Sequence, residues 1–379
     1  MIKRGKTNLM QYVAFGLLAT AALAIGQTFM GGLTNGWETD FETTIIELDE
    51  VISGGVPRDG IPPIDRPVFD DVKSVRRLSD KSPVISLTID GDSRAYPLEV
   101  MTRHEIVNDV VGGLPVAVTF CPLCNSAIVF DRRVDGKALR FGVSGNLRFS
   151  DLVMWDDATE SWWQQLTGEA IVGDYAGRKL DMASSQLISF GLFRARYPQG
   201  KVLRGPLGLY GNNPYRGYDS SPAPFLFAGK LDERLPAMAR VLAAEIDGTA
   251  AAYPFDLLRR RPVINDNIAG RDIVALWQGG AVSALDEAVI DVSRDVGMAL
   301  MFERRLDTGE TLTFYSEAGG FMDEETGSRW NFFGEAIDGP LAGAKLRQLH
   351  AFPHFWFAWA AFYPDTALYG IEANVTSAQ

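Results

Sequence analysis

The chain has 379 residues, yet only two cysteines and three histidines. Two cysteines exclude a disulfide framework and a four-cysteine zinc knuckle, which needs a second pair. Basic residues are outnumbered, 36 Lys and Arg against 48 Asp and Glu, for a net charge of −12. Phosphate neutralisation needs a basic surface, so a nucleic-acid partner is not expected. No glycine-rich phosphate-cradling motif stands out, and no nucleotide cofactor is expected. Beyond the N-terminal segment, no apolar run is long enough to span a membrane.

That segment is informative. Lys3, Arg4 and Lys6 precede a stretch without charged residues up to Glu38, and its most apolar part is Val13–Ile25. A basic start followed by an apolar run of this length reads as an export signal. Ala22, Ala24 and Gly26 supply the small residues of a cleavage site. The run also continues weakly through Phe29, Met30 and Leu33, the pattern of an uncleaved anchor. Residues 1–33 are therefore assigned to a signal peptide or anchor. The rest is placed outside the cytoplasm, periplasmic or otherwise extracytoplasmic, with the membrane contacted only through this segment.

The clearest internal order is a repeat. "IDGDSRAYPLEVMTRHEIVND" (Ile89–Asp109) matches "IDGTAAAYPFDLLRRRPVIND" (Ile246–Asp266) without a gap. Asp156–Leu180 then matches Asp323–Leu346, and Phe193–Leu203 matches Trp359–Tyr369, in the same order. The chain divides into an extended proline-rich lead-in over 34–69, a first unit over 70–203, a linker over 204–234, a second unit over 235–372 and a tail over 373–379. The linker is rich in Gly, Pro and Tyr, and its aromatics suggest that it packs against the body.

Within a unit the signals are mostly β. Asp90-Gly91 and Asp135-Gly136 mark hairpins, and "LPVAVTF" reads as a buried strand. Helical signals are short, over Pro97–Val107 and Leu187–Tyr197. The expected fold is α+β, rich in antiparallel strands, as a tandem pseudo-repeat of two related units.

The repeat separates scaffold from specialisation. Tyr96-Pro97, Asn108-Asp109 and Trp163 recur as Tyr253-Pro254, Asn265-Asp266 and Trp330, and read as scaffold. Cys121 and Cys124 do not recur, and the position of His104 is taken by Arg261. His350 and His354 occur only in the second half. Two thiolates spaced by two residues can reach one ion, and imidazole joins them readily. Cys121, Cys124 and His104 thus form a candidate metal site, completed by His350, His354 or Met154 if the halves face each other. Sulfur softness outside the cytoplasm places copper ahead of zinc. A metal donor or acceptor protein, or a small ligand, would be the partner.

Rival readings stay open. A thioredoxin-type pair sits at a helix start, whereas the strand-like "SAIVFD" follows here; thiol–disulfide exchange on another fold remains an alternative. Haem attachment needs His directly after the second Cys, and Asn125 stands there. Cys121 also fits a nucleophile with His104 as base and Asp109 or Glu105 as orienter. A buried inert pair in a non-enzymatic binding or scaffold module is the plainest alternative. The stretch "FGVSGNLRFSDLVMW" reads as a polar loop of Ser144, Asn146, Arg148, Ser150 and Asp151 between strands, a wall of the same pocket in which Ser144, Asn146 and Arg148 are the candidates. Asp109 and Trp163 are further pocket candidates, and Arg148 is suited to an anionic group.

The motifs "HEIVND", "GGLPVAVTFCPLCNSAIVFDR" and "FGVSGNLRFSDLVMWDDATESWWQQLTGEAI", with "NPYRGYDSS" and "LPAMARV", closely resemble an exported prokaryotic family catalogued as domain of unknown function 3179. The resemblance covers roughly residues 50–370. It implies that the Cys pair, His104 and the polar stretch form one recurring pattern, and it implies no chemistry. Asn125 departs from the family's frequent Gly at that position.

Export is directly testable. Residues 1–40 fused to alkaline phosphatase, which is active only outside the cytoplasm, should give phosphatase activity in a bacterial host. An expressed but inactive fusion would contradict the assignment.

Overall fold

The computed structural model describes residues 33–205, 212–317 and 320–370. The export segment, apart from Leu33, therefore lies outside the described residues, as do 206–211 of the linker and the tail. Among the described residues no helix is long and apolar enough to cross a membrane.

The chain is mostly β, 42% strand against 12% helix. Among the described residues, the four α-helices that lie wholly within them have six or seven residues each, too short to form a layer of their own. Helix signals in the sequence run longer than the helices themselves. Pro97–Val107 yields a helix only over Leu98–His104, because Glu105 turns left-handed (φ 58°) and Ile106 enters a strand. Leu187–Tyr197 yields Phe190–Arg196, because Ser185–Ser189 pairs as a strand with Pro83–Leu87. Ser189 then accepts from the Leu192 N–H at the helix start.

Strand order follows from short connections. One sheet holds, in spatial order, Ser185–Ser189, Pro83–Ile89, Asp92–Pro97, Lys201–Leu203 and Phe69–Asp71. A second holds Met182–Ala183, Ser126–Asp131, Leu114–Cys121 and Ile106–Val111. A third holds Val51–Ser53, Phe141–Arg148, Asp151–Asp156, Trp162–Gln164 and Ala170–Val172. The second half has Phe352–Phe355, Arg240–Ile246, Thr249–Pro254 and Ala367–Leu368 in one sheet. Its next sheet is Arg347–Gln348, Met298–Glu303, Arg271–Gln278 and Val263–Ile268, and its third runs from Phe314–Glu317 to Ala336–Asp338. Hairpin turns are set by Asp-Gly pairs with both residues left-handed: Asp90-Gly91 (φ 45° and 81°) and Asp247-Gly248 (φ 50° and 79°).

Residues that recur in sequence do the same work in both halves. Asn108 accepts from the Phe141 N–H (2.9 Å) and donates to the Phe141 carbonyl (2.8 Å). Asn265 brackets Phe314 in the same way, at 2.9 and 2.7 Å. Tyr96 donates to Asp109 (2.6 Å) as Tyr253 does to Asp266 (2.8 Å). The indoles of Trp163 and Trp330 donate to Asp156 and Asp323 at 2.9 and 2.8 Å. The Asn and Tyr bonds join sheet to sheet and the Trp bonds tie neighbouring strands of one sheet, which is why the residue types repeat.

The two halves share a core. One buried cluster runs from Ile85, Phe120 and Phe130 to Val241, Phe355 and Trp356. At the boundary the Phe355 N–H donates to the Cys124 carbonyl at 2.8 Å. The visible linker is tied down over the same place: Tyr218 donates to the Leu123 carbonyl (3.1 Å) and Ser150 to the Phe225 carbonyl (2.6 Å).

Removing either asparagine side chain leaves an N–H and a carbonyl unpaired. Asn108→Ala and Asn265→Ala should each lower unfolding free energy by about 1–3 kcal/mol in urea titrations. Unchanged midpoints in both variants would contradict the sheet-joining role.

Candidate functional site

The two cysteines flank a tight turn. Cys121 ends the strand Leu114–Cys121 and pairs with Ser126, so Pro122 to Asn125 form the hairpin loop. The loop closes with Asn125 left-handed (φ 50°). Glycine and asparagine are the residues that adopt this conformation most readily, so Asn125 suits the position. Cys121 is 1% exposed and Cys124 0%, and both thiols are free.

A second turn faces the first. Phe149 and Ser150 join the strands Phe141–Arg148 and Asp151–Asp156, and both are left-handed (φ 52° and 64°) without being glycine. Such residues cost roughly 1–2 kcal/mol apiece. With Glu105 and Asn125, four left-handed non-glycine residues converge on the thiols. The turn brings the Ser150 carbonyl within 3.4 Å of the Cys124 Sγ and 3.7 Å of the Cys121 Sγ. It also brings in the next side chain. One ligand atom each from Cys121, Cys124 and Asp151 lies within 4.8 Å of the others.

Asp151 is fully buried and only half satisfied. Its Oδ2 accepts from Gln164 Nε2 (2.6 Å) and the Leu166 N–H (2.9 Å). Its Oδ1 has no hydrogen-bond partner, and neither do the buried Gln164 Oε1, Gln165 Oε1 and Ser126 Oγ. Buried polar atoms are almost always paired, so the bare oxygens of Asp151 and of its partner Gln164 stand out. Burial pushes the Asp151 carboxyl up to about 6, opposed by its bonds from Gln164 and Leu166 and by the Cys124 and Cys121 thiols beside it. Burial likewise pushes Glu105 up to about 8, with only a 3.4 Å bond from Tyr215 opposing it. Both thiols are raised by burial, Cys124 well above its ordinary value.

Reactive redox thiols need the opposite environment, a helix N-terminus or a neighbouring cation that stabilises thiolate. Here a hairpin tip, burial and nearby carboxyls favour protonated thiols. A cation placed among these groups would reverse that preference, because each ligand must lose a proton to bind it.

The expected histidine ligands are not part of this cluster. His104 closes the helix Leu98–His104, where the left-handed Glu105 diverts the chain, and its Nδ1 lies 2.7 Å from the Pro62 carbonyl. His350 and His354 line a different cavity, described below. Asp151 is the third member instead. The sign of it was in the sequence: aligning Asp156 with Asp323 sets Asp151 opposite Ala318, so Asp151 fails to recur just as the cysteines do.

The pocket candidates are committed elsewhere. Ser144, Asn146 and Arg148 belong to a strand, bulged between Val143 and Leu147, not to a loop. The bulge needs Gly145, left-handed at φ 85°, where a Cβ would lie 2.1 Å from the Val56 carbonyl. Ser144 donates to the Val153 carbonyl at 2.5 Å, and Asn146 is buried with its amide Nδ2 unpaired. Arg148 pairs with Glu50 at 2.7 Å and stacks on Phe149, so its charge is already matched. Asp109 is gripped by two bonds from Arg94 (2.6 and 2.7 Å) and one from Tyr96, and Trp163 is buried against Asp156.

A family model described as "Protein of unknown function (DUF3179)" matches residues 58–366. No curated protein and no solved structure matches the chain.

The raised carboxyls predict a pH dependence with a definite sign. The Glu105 carboxyl is raised in the folded protein from 4.5 to about 8. The stability it contributes is therefore full below about 4.5 and is lost as pH rises towards 8. With chelator present, the melting temperature should fall between pH 5 and pH 8, and Glu105→Gln should flatten that fall. Parallel curves for the two proteins would contradict the burial of an ionisable carboxyl here.

Proposed function

This chain belongs to the DUF3179 family, a membership that assigns no chemistry, and we propose that it is an exported β-rich module in which Cys121, Cys124 and Asp151 hold one metal ion. The observation that carries this reading is the juxtaposition of two buried thiols with the buried Asp151 carboxylate, whose Oδ1 accepts from no N–H or O–H group. A buried carboxylate oxygen without a donor is costly, and a cation removes the cost.

The donor set favours zinc, reversing the order that the sulfurs alone suggest. Copper(I) is matched by thiolates and imidazole, whereas zinc accepts thiolate and carboxylate together. Zinc–sulfur bonds of about 2.3 Å at tetrahedral angles set sulfurs roughly 3.8 Å apart, within the 4.8 Å spread of the three atoms. Two thiolates and one carboxylate bring three negative charges to two positive ones. Glu105, raised to about 8, stays neutral at pH 7 and adds no further charge.

Both cysteines are buried, so a bound ion would be enclosed by protein, with a water or another oxygen completing its three protein ligands. The ion would fasten the 121–125 turn to the 149–151 turn, at the point where the Phe355 N–H reaches over from the second half. We also read the two halves as copies of one unit, of which only the first acquired ligands. The matching sheet orders and the paired Asn, Tyr and Trp bonds support that reading.

Protein purified from the extracytoplasmic fraction should carry about one zinc per chain by elemental analysis. Cys121→Ser combined with Cys124→Ser should abolish it, and Asp151→Asn should weaken zinc affinity at least about tenfold. A wild-type protein that stays metal-free after incubation with zinc under reducing conditions would refute the site.

A further inference from the structure

A second site, built from residues other than the cysteine cluster that it adjoins, is a cavity of about 330 Å³ between the two halves. Its first-half wall includes Ile128, Leu166 and Met182; its second-half wall includes His354, Trp359 and Tyr363. His354 sits in the strand Phe352–Phe355, opposite Val241, and is 1% exposed. Its Nδ1 has no hydrogen-bond partner. Its ring stacks on Trp359 (5.4 Å, 22°), which stacks in turn on Tyr363 (4.1 Å, 26°). The Trp359 indole is fixed by donating to Thr366 at 2.9 Å.

We propose that this cavity binds a small, uncharged, hydroxyl-bearing aromatic molecule, of which phenol is the simplest member. The volume, near the lower end for ligand sites, suits one or two rings. The His–Trp–Tyr ladder offers a flat wall against which an aromatic ring stacks or packs edge-on. Burial holds His354 neutral, so its imidazole presents one N–H donor and one acceptor nitrogen. A hydroxyl group can answer either of them. An anion gains nothing here, because Lys179 is matched by Glu245 at 3.7 Å and Asp181 adds a further carboxylate to the lining. Among the described residues, His350 and His354 belong to no cluster of three or more potential metal ligands. The inference is independent of the zinc reading.

With only three histidines in the chain, 15N-histidine labelling of the full-length protein isolates the His354 ring signals. Titration with phenol should shift the His354 resonances and leave those of His104 unmoved. Toluene should bind about tenfold more weakly, the ratio that one hydrogen bond supplies, and benzoate more weakly still. His354→Phe keeps the ring but should erase the preference for phenol over toluene, read by calorimetry. Met182→Trp, a change at a half-buried wall position, should block the cavity and abolish the phenol-induced shift. An unmoved His354 signal at millimolar phenol would overturn the proposal. So would equal affinity for phenol and toluene, stronger binding of benzoate, or a phenol shift that persists in Met182→Trp.

Discussion

Two hairpin turns meet in the interior, and most of what distinguishes this chain follows from that contact. The Cys121–Asn125 turn and the Phe149–Ser150 turn approach until one carbonyl faces both sulfurs. Holding them there takes four left-handed residues, of which none is glycine. It also takes cover from the linker, through Tyr218, and from the second half, through Phe355. Backbone strain of this kind persists only where the surroundings fix it, and it gathers at functional sites. What the strain achieves is the burial of two thiols and two carboxyls together. That arrangement is unfavourable for ionised groups in apolar surroundings and favourable around a cation.

The same contact explains why the site is closed. The thiols lie under the chain that joins the halves, so an ion there would lock the halves' junction and not meet a substrate. The aromatic cavity is the more accessible place for a small molecule. It adjoins the buried cluster: Leu166 lines it and donates its N–H to Asp151, and His354 precedes the residue bonded to Cys124. A ligand in the cavity and an ion at the thiols would thus share the strand ends that position both.

Much of the scaffold was legible in the sequence because its devices are local. Asp-Gly pairs dictate their own hairpins, and the alternation in "SPVISLTID" is visible without knowing its partner strand. The recurrence of Tyr96, Asn108, Asp109 and Trp163 pointed to scaffold, and in the structure Tyr96, Asn108 and Asp109 join sheets while Trp163 is bonded within one. Helix ends were less legible, since the left-handed Glu105 is set by the site and not by its own propensity. The ligand set was half legible. The cysteines declared themselves by spacing and by failing to recur, whereas Asp151 was hidden in a stretch that looked like a polar loop. Sequence proximity favoured His104, but a half-turn of backbone at Glu105 decides which side chain reaches the thiols. Neither the unpaired Asp151 Oδ1 nor the bare His354 Nδ1 can be read from sequence, because both are facts about neighbours distant in the chain.

The central claim is that Cys121, Cys124 and Asp151 share one zinc ion. Zinc K-edge X-ray absorption on the purified full-length protein tests it most directly. The account predicts a shell of two sulfurs at about 2.3 Å with one or two oxygens at about 2.0 Å. A zinc shell of nitrogen and oxygen alone, or protein that carries no zinc, would contradict it.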